Sequence, residues 1–199
     1  MLFRSLTVAG LQITCVGDDR EYSFMPSRNG STIADKTARF VLDQDVGAYK
    51  AYTFLDRGSD ERQYCSPGVD LPIVSMPRSK YGTYEEYHTS LDNLSLVSEK
   101  GLEESFQLHK KFIQVFETNK KYIVTNYCEP QLGKRGLRET VGGNPLSKNL
   151  ALVSNILAYC DGQHDLIDLS KLLSSRYEEI LATVETLETN GLLKIYEEY

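Results

Sequence analysis

The feature that most constrains this chain is its opening apolar run. Residues 6–16, Leu-Thr-Val-Ala-Gly-Leu-Gln-Ile-Thr-Cys-Val, are rich in β-branched and aliphatic side chains and lead directly into Gly17, Asp18 and Asp19. Such a run reads as a strand ending in a turn, and a strand this apolar needs cover on both faces. Few residues precede it, so the expectation is a chain that begins inside a larger sheet. The alternative is a terminal strand paired on one side.

The next segments continue an α/β order. Ser31 can cap a helix in which Ile33, Thr37 and Val41, with Ala34, Ala38 and Leu42, form adjoining stripes that end at Gly47. Residues 48–55 alternate like a strand, and residues 71–76 suit another. Between them lies the charged, glycine-bounded stretch 56–68, at a strand end of the kind where open α/β sheets place ligand sites. From Glu99 to about Asn119, Leu102, Phe106, Phe112, Ile113 and Phe116 recur at mostly helical spacing. This predicts an amphipathic helix packed on the sheet, with Lys110 and Lys111 on its wet side.

Pro130, Gly133, Gly136 and the run Gly142-Gly143-Asn144-Pro145 mark a connector. Beyond it, three apolar periodicities stopped at Asp161-Gly162 and Asn190-Gly191 predict three short helices, and residues 192–196 a strand. That is a winged-helix-like unit. The predicted division is a partial α/β domain over residues 1–127, a connector over 128–145 and a winged-helix-like domain over 146–199.

Composition limits the function classes. With 41% hydrophobic and 25% charged residues the chain can bury a core. No run approaches the roughly 18 to 20 apolar residues of a membrane span, and the start is too short for a secretory signal, so a cytoplasmic protein without a membrane partner is expected. The four cysteines are widely spaced and form no CxxC pair, which indicates neither a zinc ribbon nor a disulfide scaffold. A net charge of −6 argues against nucleic acid as a partner. From Leu146 onward four basic side chains face nine acidic ones, and the third predicted helix carries Glu178, Glu179, Glu185 and Glu188 where a DNA reader needs basic and amide groups.

The strongest local signal for chemistry is Glu85-Glu86-Tyr87-His88-Thr89-Ser90-Leu91-Asp92-Asn93-Leu94, which sets a histidine among hydroxyls and a carboxylate. A metal-bound imidazole commonly gives its second nitrogen to a carboxylate, and Asp92 is a candidate for that role. A solvated or turn-forming histidine is the alternative. His109 and His164 lie in or beside helical patterns without such company.

Taken in order, Thr14 to Asp18, Gly58 to Gly68, Leu71-Pro72, Tyr87 to Leu94 and Cys128 to Leu137 resemble the aminopeptidase-like proteins encoded among bacterial polysaccharide and glycan biosynthesis genes. That family is in turn similar to the two-zinc aminopeptidases. The resemblance implies part of a mixed sheet flanked by helices, with Asp18 and His88 as zinc ligands and Asp92 as the downstream neighbour of His88. Ser59, Asp60, Glu61 and Arg62 would line the cleft. It also implies hydrolysis of a peptide or glycan-linked amide in intact relatives.

The departures carry equal weight. The resemblance calls for a further histidine, a bridging aspartate and a Glu-Glu pair ahead of Asp18, and these segments are not in this sequence. Asp18 and His88 would serve different metal ions. Since zinc takes three or four protein ligands, weak or no zinc binding and no catalytic residue are expected of this polypeptide alone. A non-catalytic interaction protein forming a homo-oligomer is the second reading, and a winged-helix DNA-binding regulator the third.

Overall fold

The structure, a computed structural model, describes residues 6–135 and 148–196. It divides into two compact units at Glu117/Thr118. In the first, strand β1 (Gly10–Gln12) pairs in parallel with β4 (Ile73–Ser75), so that Leu11 lies beside Val74. The short strands β2 (Ser23–Phe24) and β3 (Lys50–Ala51) pair in parallel with each other, and an antiparallel bridge from Met25 to Ser75 ties them to β4. Helix α1 (Ile33–Asp45) packs its Ala34, Ala38, Val41 and Leu42 face into a core with Phe24, Met25, Val74 and Met76. Burying each of the larger of these side chains, from valine upward, contributes about 1.5–3 kcal/mol.

The α/β order predicted from sequence is present, with shorter strands. Only Gly10–Gln12 of the opening run is strand, and Leu6, Val8 and Ile13 are exposed at 75%, 65% and 63%. The predicted strand over 48–55 is cut short because Thr53 and Asp56 form a capping box that starts a 3₁₀ turn at Phe54–Asp56. Helix α1 is capped by Thr32, one residue beyond Ser31. Asp35 carries that cap: its carboxylate accepts from Thr32 N and Oγ1 and from Ser27 N and Oγ.

Helix α3 (Glu99–Thr118) follows the predicted span and buries Phe112 of the predicted stripe, but turns a partly different face inward. Gly101, Ser105, Leu108, His109, Phe112 and Val115 face inward, while Leu102, Phe106 and Ile113 are exposed at 47%, 60% and 54%. The cause is close approach. A Cβ at position 101 would run into the carbonyl oxygens of Gly17 and Asp18, so only glycine lets the helix come this near the end of the β1 segment.

The second unit begins earlier than the predicted connector. Strand β5 (Lys121–Val124) takes the middle of a three-stranded antiparallel sheet between β6 (Asp161–Asp165) and β7 (Leu193–Ile195). Helices α4 (Lys148–Tyr159), α5 (Leu166–Leu173) and α6 (Tyr177–Thr189) pack beside it over a core that includes Ile156, Leu166, Leu169, Ile180, Val184 and Leu187. This is the predicted winged-helix arrangement, with its middle strand supplied from ahead of α4. The Asp161-Gly162 helix stop opens strand β6. The Gly142 to Pro145 part of the predicted connector lies outside the described residues. Among the described residues no helix is long and apolar enough to cross a membrane.

Candidate functional site

The site grows from the carboxyl ends of the parallel pair β1 and β4, the end at which α/β sheets present ligand-binding groups. Beyond β1 the chain turns through Val16, Gly17 and Asp18. Two bonds fix this turn: Ser98 N, just ahead of α3, donates to Gly17 O at 2.8 Å, and Ser105 Oγ donates to Val16 O at 2.8 Å, while Ser98 Oγ caps the start of α3 by accepting from Gly101 N at 2.9 Å. Asp18 is thereby buried, at 5% exposure.

Its carboxylate is held from β4. Ser79, four residues past the end of that strand, donates its backbone N–H to Asp18 Oδ2 at 3.0 Å and its hydroxyl to Oδ1 at 2.8 Å. Arg20 N donates to Oδ1 at 3.0 Å. Two residues along, Tyr81 performs a parallel task for Glu61. Its hydroxyl donates to Glu61 Oε1 at 2.5 Å, and Gly58 N and Ser59 N donate to the same oxygen at 2.8 and 3.1 Å. Glu61 is fully buried, and its Oε2 has no hydrogen-bond partner among the described residues. Burial opposes its ionisation, but the bonds from Tyr81, Ser59 and Gly58 outweigh that and hold its carboxyl below the usual glutamate value. Burial, and then the bond to Glu61, push the Tyr81 hydroxyl up.

The rest of the predicted cleft has plainer roles. Ser59 Oγ accepts from Gln12 Nε2 at 2.6 Å, and Gln12 Oε1 accepts from Glu61 N, which ties this loop to β1. Asp60 is exposed and precedes the short helix α2 (Glu61–Tyr64) without a side-chain cap, and Arg62 is exposed on that helix. His88 is exposed, adopts a positive φ of 59° and stacks on Tyr87 with ring centroids 3.9 Å apart. No hydrogen bond joins it to Asp92, which is also exposed, so the partnership considered from sequence is not formed here.

Tyrosines link these parts. Tyr87 packs edge-on against Tyr84 with centroids 5.7 Å apart, and the Tyr84 hydroxyl lies 3.5 Å from Cys15 Sγ. Burial first, then Cys15, and then the charges of Asp92 and Asp18 push the Tyr84 hydroxyl up. Among the described residues no group of three or more His, Cys, Asp or Glu side chains is placed to hold a metal ion. The four cysteines are unpaired; Cys65 and Cys160 are buried, Cys15 is half-buried and Cys128 exposed.

Sequence reasoning missed Ser79 and Tyr81, the two residues that organise the site. Their signal was positional: both follow a parallel strand at its carboxyl end. Lys80 is buried between them, with its ammonium 4.2 Å from the Tyr81 ring centroid and 5.3 Å from that of Tyr52.

Comparison with known proteins agrees with this architecture. A Clostridium acetobutylicum protein named "putative polysaccharide biosynthesis protein with aminopeptidase-like domain" is 35% identical over 190 residues, which cover 94% of this chain and 43% of that protein. A crystal structure of a "putative peptidase" from the same organism superposes with a TM-score of 0.83 at 33% identity, over 95% of this chain and 42% of the other. The chain thus spans less than half the length of these relatives. Residues 120–195 match a winged helix-turn-helix family. Since its family pattern covers residues 4–119, the chain belongs to the family described as a domain of unknown function, DUF4910.

Proposed function

We propose that this chain supplies the Asp18 and His88 side of an aminopeptidase-like amide hydrolase whose remaining ligands and general base lie outside it. The observation that carries the reading is Asp18 itself: a buried carboxylate at the carboxyl end of a parallel strand, with both oxygens aligned by Ser79. Carboxylates that ligate a metal or orient a reacting group are aligned by an outer ring of hydrogen bonds in this way. The Ser59-Asp60 and His88 to Asp92 motifs, and the peptidase names of the relatives, support the same reading.

The residues of this chain do not by themselves fit a zinc ion. Zinc takes three or four protein ligands, the resemblance assigns one ligand here to each of two ions, and His88 lies exposed against Tyr87. The isolated chain is therefore inactive as a peptidase. A chimera in which it replaces the matching portion of the Clostridium relative tests this. The chimera should hydrolyse an aminoacyl p-nitroanilide. Asp18→Asn and His88→Ala should each lower the rate on the order of 1,000-fold, the several kcal/mol that a catalytic metal contributes. An active chimera indifferent to both substitutions would overturn the reading.

The exposed Leu102, Phe106 and Ile113 on α3 favour a second role, association with another copy. Nucleic acid is not the partner we assign, because α6 carries no Lys or Arg and exposes Glu178, Glu179 and Glu185. A shift of labelled DNA at low salt would contradict that assignment.

A further inference from the structure

Two grooves of the first unit share a wall beside Asp18. The smaller, about 360 Å³, is lined by residues that include Arg20, Glu21, Tyr84 and Ser79, the residue that aligns the Asp18 carboxylate. The larger, about 760 Å³, shares Arg20 and Glu21 and runs on past Tyr22, Tyr49, Arg78 and Lys100. Arg20, common to both, is held by a two-pronged contact to Glu86 at 2.7 and 3.1 Å.

Arg78 is the informative residue of the larger groove. It is 2% exposed, its guanidinium carbon lies 3.7 Å from the Tyr22 ring centroid, and its Nη1 donates to Glu104 Oε2 at 3.0 Å. Its buried Nε has no acceptor among the described residues. A buried donor left unpaired costs about 1–3 kcal/mol, so the groove wall contains a guanidinium whose hydrogen bonding is incomplete. The Tyr22 hydroxyl donates to the same Glu104 oxygen at 3.1 Å, which fixes the ring.

The lining then selects the ligand class. Four cationic and four acidic side chains cancel in charge, which gives a free anion or cation no net attraction. Val46 and Ala48 are its only aliphatic members, so most of its apolar surface comes from tyrosine rings and the stems of charged side chains. Cationic donors, carboxylate acceptors and two tyrosines together suit a neutral ligand whose hydroxyls both donate and accept and whose C–H faces can lie on rings.

We propose that this groove binds a saccharide, namely the sugar half of an aminoacylated amino sugar whose amide lies toward Asp18. Which bond is cut rests on the amide-hydrolase reading; the binding itself does not. In that hydrolysis the hydroxyl of water joins the acyl carbon, the C–N bond breaks, and the remaining proton of water goes to the sugar nitrogen. The products are an amino acid and a free amino sugar.

The test is saturation-transfer NMR on this chain in metal-free buffer, with the disaccharide of N-acetylglucosamine and with tri-alanine as a ligand of similar size. The disaccharide should bind with a millimolar Kd, about tenfold more weakly in Lys100→Glu and in Tyr49→Ala, and tri-alanine should give no signal. Both substitutions lie on the exposed or half-exposed rim, and thermal unfolding checks that each variant is folded. No transfer to the disaccharide at about 10 mM, equal transfer to tri-alanine, or binding unchanged in both variants would overturn the proposal. An inactive chimera would defeat the hydrolase reading while leaving this result intact.

Discussion

Ser79 and Tyr81 act on Asp18 and Glu61 as matched braces, and their loss should be distinguishable. Ser79→Ala removes one bond to a buried carboxylate. It should cost this chain about 1 kcal/mol of stability in a denaturant titration, and should lower the zinc affinity of the chimera about 10- to 100-fold. Glu61→Gln should show itself through pH. Its folded-state pKa lies below the ordinary value of 4.5, so its ionised form contributes stability that is present above that value and lost as pH falls through the folded pKa. Wild type should therefore lose stability on acidification below about pH 4.5 more steeply than Glu61→Gln, as read from thermal unfolding across that range. Asp18 was legible at this scale because a strand end followed by Gly-Asp is a local pattern. Its brace was not, because Ser79 lies 61 residues away and only pairing of β1 with β4 brings it close. His88 was legible as a motif, but its stacking on Tyr87 reflects a positive φ that sequence does not reveal.

At the scale of elements, α3 shows why periodicity gives a helix but not always its buried face. The stripe of large apolar residues suggested that Leu102, Phe106 and Ile113 would pack, yet the close contact runs through Gly101 and Ser105, because small side chains let the helix axis approach the Val16 to Asp18 turn. Gly101→Ala should destabilise by about 1–3 kcal/mol through overpacking, despite a gain of about 1 kcal/mol in helix propensity. It should also loosen the turn that carries Asp18. Phe106→Glu, in contrast, should leave stability nearly unchanged and shift the chain toward monomer by light scattering. A monodisperse monomer in the wild type would remove the association reading. The cap of α1 was placed within one residue by composition alone; that Asp35 would gather four donors from Ser27 and Thr32 depended on a fold-back between residues 27 and 35.

At the scale of the molecule, the α/β unit and the winged helix were both readable from the order of apolar periods. The division between them was not, because β5 looks like an ending to the first unit and is the central strand of the second. The functional reading is likewise divided: this chain matches 43% of its curated relative, and the two ligands proposed for it, buried Asp18 and exposed His88, are fewer than a zinc ion takes. Zinc content per chain, measured by elemental analysis after dialysis, tests that claim most directly. The isolated chain should carry zinc well below one equivalent. The chimera completed with the relative's remaining length should carry stoichiometric zinc that falls with Asp18→Asn and with His88→Ala. Stoichiometric zinc on the isolated chain, or full zinc in the chimera with either substitution, would contradict the account.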